Sequence, residues 1–568
     1  MLIRSKKSIL GTPNLYIFSS FIAGILYAFG FPSVLPVTLP LLSILGVASL
    51  LWTFELDFDE KEEGERRQSF KRQEIIAVLI FCIVINYVGF YWIAYTLREF
   101  GDIAFPLNFI ISAFFSLIVM PQYWAFLLVI FVLRRFFYRP LSKLGRGEQN
   151  ILLAFLLTIC EAYTPSLFPA HLGHTFLGFA PYLGAATVGG VPLFSFMGMW
   201  MALSLVDVLK RKRYDWFAFV LFALFLLLNA CIPLASTSKI SKSVGSHSSN
   251  MRIVQANIGN VFKISAEKGY EDALKEVISR YKSLSLQRQT LPLDLIIWPE
   301  TAYPYQLSLD SLPTLLPPKG EEERMLPASI LEVLVVMKAE LLIGGYLKKE
   351  KLSIHDEDYE RTYNSVLFFN HQGALTSYYN KQKLIPFGEN LPFPDEINRT
   401  IGSMIPSMSF FARGKDFSRF EMKNGVSFTT IICYEILFPD YVRDVLNHLH
   451  QQSTAGEVDF IINLTNDSWY GGLEPYQHLY LGQWRAIEFD IPIVRSTNTG
   501  ISTVMYPDGS LGAKLLVGEQ NFMDFELKTK KRKATLYQQY GFAIVSIGAF
   551  LLFVVAFCLR RKPSLKRS

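Results

Sequence analysis

Charge is what this sequence has least of. Only 18% of its 568 residues are Asp, Glu, Lys or Arg, against about 25% in a soluble globular protein. A deficit of that size over such a length rules out an ordinary water-soluble enzyme and a disordered protein. Cysteine is also scarce. There are five, with no Cys-x-x-Cys pair and no Cys/His cluster at zinc spacing, which rules out a disulfide framework and a structural zinc module. The net charge of +6 is small for the length, and no basic stripe interleaved with aromatics occurs. Both points argue against nucleic-acid binding. Hydrophobic residues fill the space, at 51% of the sequence and a mean hydropathy of +0.27.

The apolar residues are unevenly spread. Seven long runs lie near 14–31, 35–54, 75–97, 105–133, 150–167, 191–209 and 215–235, and an eighth near 540–559. Each approaches the roughly 20 residues needed to cross a bilayer as a helix. The fifth contains Glu161 and ends at Pro165. The first run is followed almost at once by a second and has no Ala-x-Ala site, so it reads as a span and not a cleaved leader. Residues 1–240 therefore read as a membrane domain of seven helices, 250–530 as a water-exposed domain, and 536–568 as an eighth helix with a tail.

Basic residues set the orientation. Arg4, Lys6 and Lys7 precede the first run; Lys61, Arg66, Arg67, Lys71 and Arg72 follow the second. Arg134, Arg135, Arg139, Lys143 and Arg146 follow the fourth, and from 147 to 209 there is neither Lys nor Arg. Lys210 to Arg213 and the tail from Arg560 complete the alternation. By the positive-inside rule both termini face the cytoplasm, and residues 250–530 face outward, the periplasm in a two-membrane bacterium. The run Lys528 to Lys533 on the outer side breaks the pattern. It reads either as a solvated charge run or as an attachment to anionic headgroups.

Within the outer domain, short apolar runs alternate with helical periodicity. MRIVQAN (251–257), LDLIIW (293–298), ELLIGGY (340–346), NSVLFFN (364–370), SFTTIIC (427–433), VDFIINLT (458–465) and PIVRSTN (492–498) predict strands. Tyr270, Leu274, Val277, Ile278 and Tyr281 predict a helix, as do Val442, Val445, Leu446 and Leu449. Continuous apolar strands alternating with helices argue an α/β domain with sheets buried on both faces.

Cys433 is the one cysteine of that domain; Cys82, Cys160, Cys231 and Cys558 lie in or beside the spans. An unpaired thiol in an oxidising compartment is a liability, and Cys433 ends an apolar strand just before a helix, a place suited to exposing a nucleophile. It is either that nucleophile or a packed strand-end residue. A thiol nucleophile needs a base. Among the histidines His478 is the least dismissible, but carboxylates are better placed: Glu300 follows the strand LDLIIW and Pro299, and Glu389 pairs with Lys381 across KQKLIPFGE.

Together, Glu300, Lys381 and Cys433 resemble the Glu–Lys–Cys triad of the nitrilase (carbon–nitrogen hydrolase) superfamily. The strings WPET, K-x-x-L-I-P-F-G-E, CYE, NLTNDSWYG, QWRAIE and RSTNTGIS, the outer loop FPAHLG (168–173) after Glu161, and eight spans resemble its membrane branch, the apolipoprotein N-acyltransferases. The resemblance covers nearly the whole sequence. It departs at Ile264, and at Ala170 and His171, where the family shows Trp.

The resemblance implies a polytopic α-helical membrane domain of about eight transmembrane helices joined to a nitrilase-like αββα sandwich. It implies a monomer in the bacterial inner membrane with its catalytic domain in the periplasm, and a reaction without metal or diffusible cofactor. A phospholipid donates its acyl group to Cys433 as a thioester, and the α-amino group of a diacylglyceryl-modified apolipoprotein accepts it. Glu300 moves the proton, Lys381 stabilises the oxyanion, and Glu389 orients Lys381. Tyr434 and Glu435 shape the second-substrate side; Glu161 reads either as a supporting, substrate-binding residue or as an interfacial carboxylate hydrogen-bonded to its neighbours. By its composition the apolar loop with Met408 and Phe411 reads either as a surface for acyl chains or as core packed under a loop. Two alternatives stand beside this: a membrane-tethered amidase using the same triad, and a transporter with a binding domain. Transport sites place ionisable residues in mid-membrane, and Glu161, near an outer edge, is nearly alone there.

Overall fold

The structure, a computed structural model, describes residues 13–32, 36–56, 58, 71–99, 103–240, 247–259, 270–289, 291–308, 327–349, 361–386, 388–390, 398, 411–452, 456–469 and 471–561. The protein divides into two units. One comprises Met1–Ala235, Gly471–Tyr480 and Tyr540–Ser568; the other comprises Ser236–Tyr470 and Leu481–Gln539.

The first unit is helical. Its principal helices are Pro13–Ala28, Pro40–Trp52, Arg72–Gly89, Leu107–Val119, Pro121–Phe136, Arg146–Tyr163, Ala186–Arg211, Trp216–Ile240 and Ala543–Arg561. Among the described residues, three are long and apolar enough to cross a membrane: Arg72–Gly89, Ala186–Arg211 and Ala543–Arg560. A fourth candidate is the pair Leu107–Val119 and Pro121–Phe136, bent by 50°. The sequence predicts one continuous span over 105–133, and the break falls at Pro121. Proline lacks the N–H of the helical ladder and pushes the residue before it out of helical geometry; Met120 sits at φ −127°, ψ 57°. Leu15–Ala28, Pro40–Trp52 and Trp216–Cys231 are shorter apolar helices.

Basic residues from several connections join one polar cluster in this unit. Arg134 donates to both oxygens of Glu74, at 2.8 and 2.6 Å. Arg146 Nε lies 3.0 Å from both oxygens of Asp207, and its Nη1 donates to Leu56 O at 2.7 Å. Lys210 Nζ donates to Phe54 O at 3.0 Å, and Arg560 Nη1 to Glu148 Oε2 at 3.1 Å. The Arg134–Glu74 and Arg146–Asp207 pairs are largely buried and satisfy one another's charge, without which burial would be costly.

The segment Gly471–Tyr480 lies between two stretches of the α/β unit in sequence, yet it packs with the helices. Gln477 is its anchor. Its Nε2 donates to Pro32 O at 2.7 Å and Gly89 O at 2.6 Å, and its Oε1 accepts from Trp92 Nε1 at 3.0 Å. Leu473 N donates to the Tyr91 hydroxyl at 3.0 Å. Every polar atom of a buried amide is thus used.

The second unit holds two sheets. Its strands are β1 (His247–Gln255), β2 (Leu295–Ile297), β3 (Tyr303–Ser308), β4 (Glu340–Lys349), β5 (Arg361–Phe369), β6 (Leu375–Asn380), β7 (Arg419–Glu421), β8 (Ser427–Ile432), β9 (Phe460–Thr465), β10 (Ile493–Thr497), β11 (Ser502–Met505), β12 (Leu511–Leu515) and β13 (Asn521–Thr529). One sheet runs β13-β1-β2-β4-β5-β6 with β3 on β4; the other runs β12-β11-β10-β9-β8-β7. The centres are parallel, β1-β2-β4 and β8-β9-β10, and the flanks antiparallel. The parallel strands are the continuous apolar runs, as both-face burial requires.

The sheets meet through aromatics. Phe368 of β5 sets its ring edge against Phe420 of β7 and Phe428 of β8, with centroids 5.9 and 5.5 Å apart. The first sheet is covered by helices Glu271–Ser285 and Ala328–Met337. Leu274, Val277, Tyr281, Ile330, Val333 and Leu334 join its core. The predicted helix at 442–449 is Pro439–Gln452, with Val442, Val445, Leu446 and Leu449 buried.

Candidate active site

Each chemically interesting residue leaves the end of a strand. Glu300 follows β2, Lys381 follows β6 and Cys433 follows β8. Two of these turns are strained. Cys433 has φ +48° and Thr301, next to Glu300, has φ +50°, a conformation that costs non-glycine residues about 1–3 kcal/mol and concentrates at functional sites. At Cys433 the strand passes directly into a short helical turn, Cys433–Leu437. Gly344 of β4 makes room for the Glu300 turn, because a Cβ there would lie 2.7 Å from Glu300 Cα.

The turns converge on Lys381, whose side chain is fully buried. Its Nζ donates to Glu300 Oε1 at 3.0 Å and to Glu389 Oε1 at 2.8 Å. Asn364, opposite Lys381 at the start of β5, donates Nδ2 to the same two oxygens, at 2.8 and 3.0 Å. The second oxygens are held by the backbone: Asn466 N donates to Glu300 Oε2 at 2.8 Å and Ile385 N to Glu389 Oε2 at 2.9 Å. Two carboxylates share one ammonium, with no freedom left to any of the three.

Electrostatics follow from that arrangement. Burial alone would push Lys381 down, but the charges of Glu300 and Glu389 beside it win, and its ammonium is held well above the ordinary lysine range. Burial pushes the Cys433 thiol up, and the Glu300 charge adds to the rise, while Lys381 opposes it. The resting cysteine is a neutral thiol, so it needs a base at the moment of attack.

Glu435 is fully buried. Its oxygens accept from Tyr379 and Tyr441 hydroxyls at 2.8 and 3.0 Å. They also accept from the backbone N–H groups of Gln382 (2.7 Å), Lys383 (3.0 Å) and Ile432 (2.8 Å). Glu435 therefore ties the turn carrying Lys381 to the strand end carrying Cys433. Burial raises its carboxyl, and the N–H donors counter that. Tyr434 is buried and packs its ring edge-on to Phe438 at 4.8 Å.

Glu161 is buried in the helical unit, where its Oε1 accepts from Leu172 N at 2.6 Å and holds the loop after Pro169. Tyr27 adds a bond to Ala170 O at 3.1 Å, and Ser195 one to Gly173 N at 2.9 Å. Phe411 stacks on Tyr346 with centroids 5.7 Å apart, and its N donates to Glu389 O at 3.0 Å. Met408 and Ile264 lie outside the described residues. His478 falls in the 471–480 segment of the helical unit. Sequence reasoning missed Asn364 and Asn466. Their one signal is an amide at the edge of an apolar strand, where burial without a partner is costly.

Two sheets bearing a strand-end carboxylate, lysine and cysteine define a carbon–nitrogen hydrolase fold, and residues 251–524 match the family described as Carbon-nitrogen hydrolase. Residues 23–204 match the family described as Apolipoprotein N-acyltransferase N-terminal domain. The apolipoprotein N-acyltransferase of Bdellovibrio bacteriovorus is 30% identical over 478 residues, covering 81% of both proteins. That of Rhodopseudomonas palustris is 28% identical over 494 residues, covering 84% of both. Among solved structures, Saccharomyces cerevisiae Nit3, a member of branch 10 of the nitrilase superfamily, is 15% identical with a TM-score of 0.33; the match covers 49% of this protein and 90% of that one. The protein belongs to the apolipoprotein N-acyltransferase family.

Proposed function

We propose that this enzyme moves an acyl group from a membrane phospholipid to the α-amino group of the diacylglyceryl-modified N-terminal cysteine of apolipoproteins, through a thioester on Cys433. The observation that carries the chemistry is the buried Lys381 held between Glu300 and Glu389, beside a cysteine on a strained strand-to-helix turn. Glu300 takes the Cys433 proton as sulfur attacks the ester carbonyl. The oxyanion forms next to Lys381 and a backbone N–H of the Cys433 turn. The C–O bond breaks, the lysophospholipid alkoxide takes the proton from Glu300, and the thioester remains. The acceptor amine then attacks, loses a proton to Glu300, and the C–S bond breaks to restore the thiol. Glu389, Asn364 and Glu435 hold these groups in place.

Incubating the enzyme with phospholipid alone should add one acyl mass to Cys433, read by intact-protein mass spectrometry. An amine-terminated lipopeptide should then discharge it. Loss of the adduct to water as free acid, with no lipopeptide product, would favour the tethered-amidase reading. Absence of any adduct would sink both.

The lipid substrates explain the helical unit. We read it as eight crossings of the bacterial inner membrane, with the α/β unit in the periplasm and the enzyme acting as a monomer. Support comes from the polar cluster joining Arg134, Arg146, Lys210 and Arg560, which collects basic residues of the connections assigned to the cytoplasm. Cysteine introduced in the 55–73 stretch should be shielded from an impermeant thiol reagent in cells with a permeabilised outer membrane. Cysteine introduced at 310–325 should be labelled. The reverse pattern would invert the topology.

A further inference from the structure

The grip on Glu300 runs back through two asparagines to the first strand. Asn466 N–H donates to Glu300 Oε2, so Asn466 holds the one oxygen of that carboxylate that Lys381 and Asn364 do not. The Asn466 amide is in turn set by Asn498. Asn466 Oδ1 accepts from Asn498 Nδ2 at 3.1 Å and from Ser468 N at 3.4 Å. Asn466 Nδ2 has no partner among the described residues, so Asn498 supplies the principal restraint on that amide.

Asn498 itself has a fixed polarity. Its Oδ1 accepts from Ile258 N at 2.9 Å and from the Tyr281 hydroxyl at 3.3 Å; its Nδ2 donates to Ile258 O at 2.9 Å. The backbone N–H and the backbone carbonyl of one residue can be satisfied in one amide orientation only. Backbone bonds from Asn498 N to Thr465 O and from Asn257 N to Asn498 O, 3.2 and 3.0 Å, brace the same junction. Ile258 continues from β1, whose Gln255 accepts from Thr497 and Ser502 at 3.1 and 2.6 Å. A directed run of bonds thus leads from Ile258 through Asn498 and Asn466 to Glu300, and all four residues are buried.

We propose that Asn498 is a positioning residue for acyl transfer: it holds the Asn466 backbone N–H on Glu300 and so sets the aim of that carboxylate toward the Cys433 thiol. The proposal rests on Glu300 acting as the base. Asn498→Ala should slow Cys433 acylation by phospholipid about tenfold, the size of one hydrogen bond to a charged group. It should also move the acidic limb of the pH–rate profile upward, because a carboxylate that loses an N–H donor keeps its proton to higher pH.

The deciding measurement is a double-mutant cycle. Alkylation of Cys433 by iodoacetamide, followed at its own peptide against pH, is compared in wild type, N498A, E300Q and the double variant. If Asn498 acts through Glu300, N498A costs little once Glu300 is Gln. An equal tenfold cost in both backgrounds, or a wild-type rate and pH limb in N498A while E300Q is impaired, overturns the proposal alone. A near wild-type rate in E300Q overturns the base reading and the proposal with it. Should N498A fail to fold, the isosteric N498D carries the same cycle, since its carboxylate cannot donate to Asn466.

Discussion

Cys433→Ala should form no acyl adduct with phospholipid and transfer nothing to a lipopeptide, yet accumulate in the membrane as wild type does. The loss is complete because the thioester is the only link between the two half-reactions. The fold survives because the substitution removes one sulfur and the turn's strain remains in the backbone, where φ is +48°. Alanine there also relieves the site of a thiol whose ionisation burial and Glu300 both oppose. The measurement is single-turnover acylation by mass spectrometry beside a melting curve in detergent. Residual transfer by C433A would mean another nucleophile.

Lys381→Met should lose about 100- to 1,000-fold in the first half-reaction, the cost of removing one oxyanion donor. It should also be destabilised, because Glu300 and Glu389 are left facing each other in a buried site without their shared cation. Removing one partner of a buried pair costs about 3–5 kcal/mol. The sign of the pH dependence follows. In K381M one carboxylate must take up a proton on folding, so the destabilisation is smaller at pH 5 than at pH 8, where that proton is harder to supply. Adding Glu389→Gln should restore much of the stability and none of the rate. If the double variant regains activity, Lys381 serves only as a counter-ion.

The parallel centre of each sheet was legible because it is apolar on both faces: LDLIIW, ELLIGGY, SFTTIIC, VDFIINLT and PIVRSTN all contain strands. Of the antiparallel flanks only β5, marked by NSVLFFN, was. The strand β13, NFMDFELKT, alternates exposed and buried positions and mixes charges with aromatics, so no apolar run marks it. Glu300 and Cys433 stood out because each follows an apolar strand, whereas Lys381 follows LTSYYN, which is no apolar run, and only the string K-x-x-L-I-P-F-G-E marks it. Glu435 was seen, but its burial under donors from three segments depends on long-range pairing that spacing does not encode. Asn498 was part of a recognised string, and nothing local distinguishes an amide that clamps another amide from one that caps a loop. In the helical unit, composition stays apolar straight through Pro121, while the backbone bends there by 50°.

The anchoring of Gln477 to Pro32, Gly89 and Trp92 bears on the order of assembly. Domains usually fold as they emerge from the ribosome, N-terminal first. Here the helices near the N-terminus wait: two of their backbone carbonyls and one indole N–H find their partner only when a residue made some 385 to 445 positions later arrives. The helical unit is therefore finished by a late visitor from the middle of the other unit's sequence. Releasing the α/β unit by cutting the polypeptide at 240 and 535 would carry that visitor away, and with it the closing contacts of the helices left behind.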